Sequence, residues 1–176
     1  YKGQYYWRDY KHAPKRYESD ADHSWRLAML VLLFDKNLSR SFNVLKALKL
    51  ALIHDVAEII TGDASPSGED GTGETAHAFN EKIKVARSKE EQAAVKKIVS
   101  GLAQNQQREF FNLWQEYEKK QTFEARLVGA LDKVEAALQV LEYLGGRMTP
   151  KHLQFLLRYV GDRATGVDPH LDDFVQ

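Results

Sequence analysis

"VLKALKLALIHDVAEII", residues 44–60, decides how this chain folds. Leu, Ala, Ile and Val recur at spacings of three and four, the period of an α-helix. The run is apolar on most sides, which predicts a central helix covered by others. Ser41 or Asn43 stands ready as its N-cap. Into this run the chain inserts His54, Asp55 and Glu58, with Asp63 just beyond it. Ionisable groups in a core helix are costly unless they are paired or hold a metal. His54 and Glu58 are four apart, and Asp55 and Glu58 three apart, so these pairs lie on neighbouring parts of one helix surface. His54 and Asp55 point about 100° apart and reach one ion only if it lies over the helix between them. Further ligands must then come from other helices.

Outward from this stretch the pattern stays helical. Ser19, with Asp22 three residues on, forms a capping box for "DHSWRLAMLVLLFD", where Trp25, Met29, Leu32 and Leu33 are expected to point inward. "TGDASPSGEDGTGETA" is the main loop, rich in Gly, Ser and Thr, and long loops of this kind are often functional. A helical pattern returns near His77 and runs to about Leu102, with a break near Ser88. "REFFNLWQEYEKK" is amphipathic. Thr122 caps "FEARLVGALDKVEAALQVLEYL", and Gly145-Gly146 ends it. Thr149-Pro150 opens "KHLQFLLRYV" as an N-cap followed by proline in the first helical position. Residues 1–18 read as a short helix or ordered arm, with core helices over about 19–144 and a C-terminal helix and tail over 149–176. No repeat and no strand-like alternation is visible. The expectation is an all-α, single-domain helical bundle spanning residues 1–176.

Composition narrows the function. With 176 residues, 43% hydrophobic and 28% charged, the chain suits one globular domain with a sizeable core. The formal net charge is zero, and Lys and Arg are spread without a stripe, so no nucleic-acid polymer is expected as a partner. There is no cysteine, which removes disulfides, thiolate catalysis and thiolate metal sites. Charges break every apolar run short of about 20 residues, so no membrane span is expected. "YKGQYYWRDYKH" lacks a signal core, and a cytoplasmic location follows as the expectation. The chain begins without methionine, which reads as a piece of a longer expressed one.

Two residues on other helices can complete a site around His54-Asp55. His23 lies near the start of an apolar helix, and Asp132 sits inside "LVGALDKVEAAL". Bundle cores build metal sites from facing helices in this way. Two His and two Asp make a nitrogen–oxygen shell suited to Mn, Fe, Co, Ni or Zn and less to Mg. Such an ion lowers the pKa of bound water and polarises a phosphoryl oxygen.

"DADHSWRLAMLVLL", "LALIHDVAEIITGD" and "ARLVGALDKVEAAL" together resemble the signature of the HD-domain phosphohydrolase superfamily. "RYESDADHS" and "HDVAEIITGD" are similar to its 5′-deoxynucleotidase branch. The resemblance spans about Trp7 to about Leu144. It implies an all-helical fold, one divalent ion, and hydrolysis of deoxynucleoside 5′-monophosphates to deoxynucleoside and phosphate. By position it makes His23, His54, Asp55 and Asp132 the metal ligands and Glu58 the catalytic carboxylate. It gives Asp63 a contact with the sugar, and makes Ala64, Ser65 and Pro66 the adjoining substrate loop. Trp7 and Arg8 resemble the aromatic-plus-arginine pair near the phosphate, but stand one position out of register. Arg16 is therefore a second candidate for phosphate contact. The loop "SGEDGTGETAH" is longer than the branch pattern. The alternatives are an HD hydrolase of a triphosphate, alarmone or cyclic dinucleotide, and a nucleotide-sensing protein without turnover. The relatives acting on those other phosphates usually carry extra His or Asp motifs, which are not found here.

Other residues carry weaker signals. His77 reads as a helix-start or surface residue, and Glu90 and Glu91 as a solvated helix face rather than holders of a second ion. "FFNLWQEY" reads as aromatic packing in the core or in an interface, which leaves room for a homodimer.

Overall fold

The computed structural model describes residues 2–5, 17–144 and 148–176. Eight α-helices account for most of them: α1 (Asp20–Phe34), α2 (Val44–Ile53), α3 (Glu58–Thr61), α4 (Glu81–Ile98), α5 (Gln104–Glu118), α6 (Phe123–Leu144), α7 (Pro150–Ala164) and α8 (Pro169–Val175). The all-α class expected from periodicity is the one observed. Two short strands, β1 (Lys2–Tyr5) and β2 (Tyr17–Glu18), pair antiparallel ahead of α1, where a short helix or arm was expected. Trp7, Arg8 and Arg16 lie outside the described residues, as do Gly145 and Gly146.

Helix starts follow their caps. The Ser19 hydroxyl accepts from the Asp22 amide at 3.2 Å, and the Asp22 carboxylate accepts from the Ser19 amide at 3.0 Å, the reciprocal box read from the sequence. Asn43, rather than Ser41, caps α2 by accepting from the Lys46 amide. Thr122 Oγ1 accepts from the Ala125 amide at the head of α6, and Thr149 Oγ1 from the His152 amide beside Pro150. Asp168 caps α8, which the pattern did not separate from the tail.

The hub is α6, not the 44–60 stretch expected to be central. It packs against α1, α2, α5 and α7. Leu127, Val128, Ala130, Leu131 and Val134 of α6 are buried with Leu27 and Val31 of α1 and Ala47, Leu50 and Ala51 of α2. Only one face of α2 is covered; Leu45 and Leu52 are exposed. On α1 the inward set is His23, Ser24, Leu27 and Val31. Trp25, Met29, Leu32 and Leu33, expected inside, are 59%, 38%, 48% and 61% exposed. Both sides of α1 are apolar, so composition could not choose between them; the need to bury His23 fixes the rotation. A second, smaller cluster joins Ala57, Ala94, Val95 and Trp114 under the α4–α5 corner.

The expected continuous helix over 44–60 is broken. α2 ends at Ile53, and the Val56 and Glu58 amides bond back three residues, to Ile53 and Asp55, before α3 begins. Tightening from four-residue to three-residue bonds changes the angle between successive side chains. That break is how His54 and Asp55 come to face one point. α4 starts at Glu81, later than the pattern near His77, and runs unbroken past Ser88. The loop before it is tied to α7 by Arg158 to Glu74 at 2.7 Å and Arg163 to the Ala78 carbonyl at 2.6 Å. Gly73, at φ +80°, passes so close to Phe79 and Phe155 that a Cβ there would lie 2.7–2.8 Å from their rings. None of the helices in the described residues is long and apolar enough to cross a membrane.

Candidate metal centre

α1, the α2–α3 break and α6 bring four ligand atoms together. His23 Nε2 and His54 Nε2 are 3.2 Å apart. Asp132 Oδ1 lies 3.2 Å from the His23 nitrogen and 4.0 Å from that of His54. Asp55 Oδ2 lies 3.1 Å from His54 Nε2 and 3.8 Å from His23 Nε2. His23, His54 and Asp132 are buried, and Asp55 keeps a partly open edge.

The outer atoms of these residues are held. His54 Nδ1 is 2.9 Å from the Ala51 carbonyl oxygen, which can only accept, so Nδ1 donates and Nε2 points its other valence inward. The Glu135 carboxylate takes His23 Nδ1 in the same way, and Arg26 Nε braces Glu135 at 2.9 Å. Tyr117 donates its hydroxyl to Asp132 Oδ2 at 3.0 Å, and Lys133 Nζ donates to that oxygen at 2.6 Å. Burial raises the cost of a charge on Asp132, but Lys133 and the two imidazoles outweigh it and hold the carboxyl well below the usual range.

This donor set fits a divalent cation. Two ring nitrogens and two carboxylate oxygens turned inward repel one another unless positive charge lies between them. Ligands about 2.1 Å from a common ion stand about 3 to 4 Å apart, and each carboxylate oxygen stands at that spacing from both imidazole nitrogens. Carboxylate–imidazole contacts of the His23–Glu135 type are the usual support behind metal-bound histidines.

Beside the cluster stands a second polar group. Glu58 Oε1 accepts from Arg87 at 3.2 Å; Arg87 also reaches the Gly62 carbonyl at 3.2 Å and Glu91 at 2.6 Å. Burial pushes the Glu91 carboxyl up to about 7 against the pull of Arg87, and the Asp55 charge adds to the rise. Glu91 is thus not on a solvated face, as the charge pattern had suggested: its side chain is 15% exposed.

An HD domain model matches residues 7–165. The chain belongs to the HD-domain family. This HD domain is 34% identical over 137 residues to 5′-deoxynucleotidase HDDC2 of Xenopus laevis, covering 78% of this chain and 61% of the relative. It is 32% identical to the human HDDC2 over 141 residues, covering 80% and 61%. Against 5′-deoxynucleotidase YGK1 of Saccharomyces cerevisiae the identity is 30% over 149 residues, covering 84% and 64%. The chain spans about three fifths of the length of these curated relatives. Among solved structures, it resembles a predicted metal-dependent phosphohydrolase from Magnetospirillum magnetotacticum at TM-score 0.67 and 25% identity, covering 91% of this chain and 74% of that one. The PH0347 protein from Pyrococcus horikoshii matches at TM-score 0.66 and 27% identity, covering 92% and 82%.

On the loop side of the HD cluster an open cavity of about 610 Å³ lies between residues 64–77 and α4. That volume is within the range of small-ligand sites. Ala64, Ser65, His77, Arg87 and Glu90 are among its lining residues. Ala64 and Ser65 of the expected substrate loop therefore face it, and Arg87 links it to Glu58. His77, read as surface, belongs to the same wall.

Sequence reading missed Glu135, Tyr117, Arg87 and Lys120 as members of this neighbourhood. Glu135 carried a legible signal: three residues after Asp132, it shares the face of α6 that Asp132 uses. Arg87 and Lys120 carried none, because each reaches the site across a helix boundary.

Proposed function

We propose that this HD domain hydrolyses deoxynucleoside 5′-monophosphates to deoxynucleoside and phosphate, using one divalent ion held by His23, His54, Asp55 and Asp132. The single observation that carries the reading is that His23 Nε2 and His54 Nε2 lie 3.2 Å apart with Asp55 Oδ2 and Asp132 Oδ1 each within 4.0 Å of both. The names of the relatives support the substrate class. An ion in this shell supplies Lewis acidity to a phosphoryl oxygen and acidifies its water.

The chain's own residues divide the remaining work. Glu135 and the Ala51 carbonyl fix the imidazole tautomers, and Tyr117 and Lys133 fix the rotation of Asp132. Glu58, steadied by Arg87, moves a proton during attack of water or departure of the 5′-alkoxide. Asp63 accepts from a sugar hydroxyl, and Ala64, Ser65 and Pro66 border the nucleoside, with the cavity against α4 as its seat. Arg8 or Arg16, with Trp7, approaches the phosphate from the N-terminal arm. The exposed row Trp25, Met29, Leu32 and Leu33 supports self-association through α1.

A phosphate-release screen over deoxynucleoside and ribonucleoside mono-, di- and triphosphates, with Mn, Co, Mg or Zn, tests this function. Release from deoxynucleoside monophosphates above all others is the expected result. Preference for triphosphates, or no release with any metal, contradicts it.

A further inference from the structure

Lys120 occupies an unusual place. It follows α5 with its backbone at φ +50°, the left-handed region where glycine is the ordinary choice for ending a helix. Its N–H bonds back to the Tyr117 carbonyl at 3.0 Å, closing the turn. From there the side chain crosses α6 at Gly129. A Cβ on residue 129 would lie 2.7 Å from Lys120 Cε and 2.9 Å from Nζ, so the absence of a side chain at Gly129 is what gives the lysine its path. Gly129 is three residues before Asp132, hence on the same side of α6. The ammonium ends over the ring of Tyr117, 3.1 Å from its centroid, and the hydroxyl of that ring bonds Asp132.

No carboxylate neutralises this ammonium by direct contact among the described residues. Asp132, Glu118 and Asp55 act on it through space, and Lys133 opposes it. Burial draws the Lys120 pKa down to about 8. Lys133 thus bonds Asp132 Oδ2 directly, and Lys120 lies over the tyrosine ring whose hydroxyl donates to that same oxygen. Like charges crowded beside a candidate metal centre raise each other's energy, and a doubly charged anion placed between them and the ion relieves it. An aromatic face is a weak, geometry-tolerant partner for an ammonium, which leaves its N–H donors able to turn to such an anion.

We propose that Lys120 binds the phosphate of the substrate, and the phosphate product after cleavage, on the α5–α6 side of the centre. This rests on the HD phosphohydrolase reading above, and it gives the phosphate a cation from the core in addition to any arginine of the arm. Gly129 is the positioning residue that lets Lys120 arrive.

Inorganic phosphate is the probe. Its affinity for the metal-loaded protein is measured by titration calorimetry for wild type, Lys120→Met and Gly129→Ala, with metal content and melting temperature determined on the same samples. Loss of one charge-assisted hydrogen bond predicts about 10- to 100-fold weaker phosphate binding for Lys120→Met. Gly129→Ala keeps the charge but displaces it, and is expected to weaken phosphate binding by less, with metal content unchanged in both variants. Undiminished phosphate affinity in Lys120→Met overturns the proposal. So does a loss of phosphate that tracks a loss of metal, since Lys120 then acts only through the metal shell. Because the probe is phosphate itself, the result stands apart from the nucleotide screen, whose failure would count against the nucleotidase reading alone.

Discussion

His23, His54 and Asp132 are at most 4% exposed and rise from packed helices, whereas Asp63, Ala64 and Ser65 sit on a loop beside an open cavity. The first group is fixed by the core: its rotamers follow from burial, and each outer atom has a named partner. The second is fixed by tethers, such as Arg158 to Glu74, and by the passage of Gly73 between Phe79 and Phe155. The difference teaches that chemistry and selectivity are separable here. Under the proposed function the helical side would hold the ion, and the loop side would choose what is delivered to it.

Glu58 stands at the seam and gives the largest separation of the two. Replacing it with Ala is expected to lower turnover by about 100- to 10,000-fold while metal content stays whole. Steady-state kinetics across a Mn or Co titration checks this; full recovery of kcat at saturating metal would reduce Glu58 to a support for the shell. Glu135→Gln probes the helical side alone. It replaces the carboxylate that orients His23 and is expected to weaken metal affinity by about 10- to 100-fold, read by competition with a chelating dye. Ala86→Trp probes the cavity alone. Ala86 lines it from α4, and filling it is expected to raise KM for a nucleoside monophosphate by about tenfold, with metal affinity unchanged. An unchanged KM would show that the nucleoside lies elsewhere.

The smallest effect is on stability against pH. In the folded protein Glu91 holds its proton up to about 7, above its ordinary value of 4.5. Between those values the folded state binds more protons than the unfolded state, so stability falls as pH rises through the window. Glu91→Gln removes the titrating group, and its melting temperature is expected to fall less than that of the wild type across the same range. Parallel pH profiles would place the carboxyl in water.

Much of the helical side was legible in the sequence. Ser19-Asp22, Asn43 and Thr149-Pro150 marked helix starts because local capping geometry needs few partners. His23, His54, Asp55 and Asp132 stood out because ionisable groups in apolar helices are costly. The pattern did not reveal rotation and interruption. Beyond Arg26, α1 is apolar on every side, so Leu33 could not be told from Leu27 and Val31 without a neighbour to face. The break at His54–Ala57 carries no Gly or Pro to mark it in the sequence; packing of Ala57 against Val95 and Trp114 accompanies it. Arg87 and Lys120 act across helix boundaries, and no spacing rule reaches that far. Residues 64–66 were named as a substrate loop through resemblance, while the α4 wall that faces Ala64 and Ser65 across the cavity carried no signal.

Metal analysis tests the central claim most directly. Wild-type protein, and His23→Ala, His54→Ala and Asp132→Ala variants shown to be folded by circular dichroism, are dialysed against limiting Mn or Co, and bound metal is measured by emission spectroscopy. One ion per chain is expected in the wild type and background levels in each variant. Retention of a full equivalent of metal by any folded variant would contradict it.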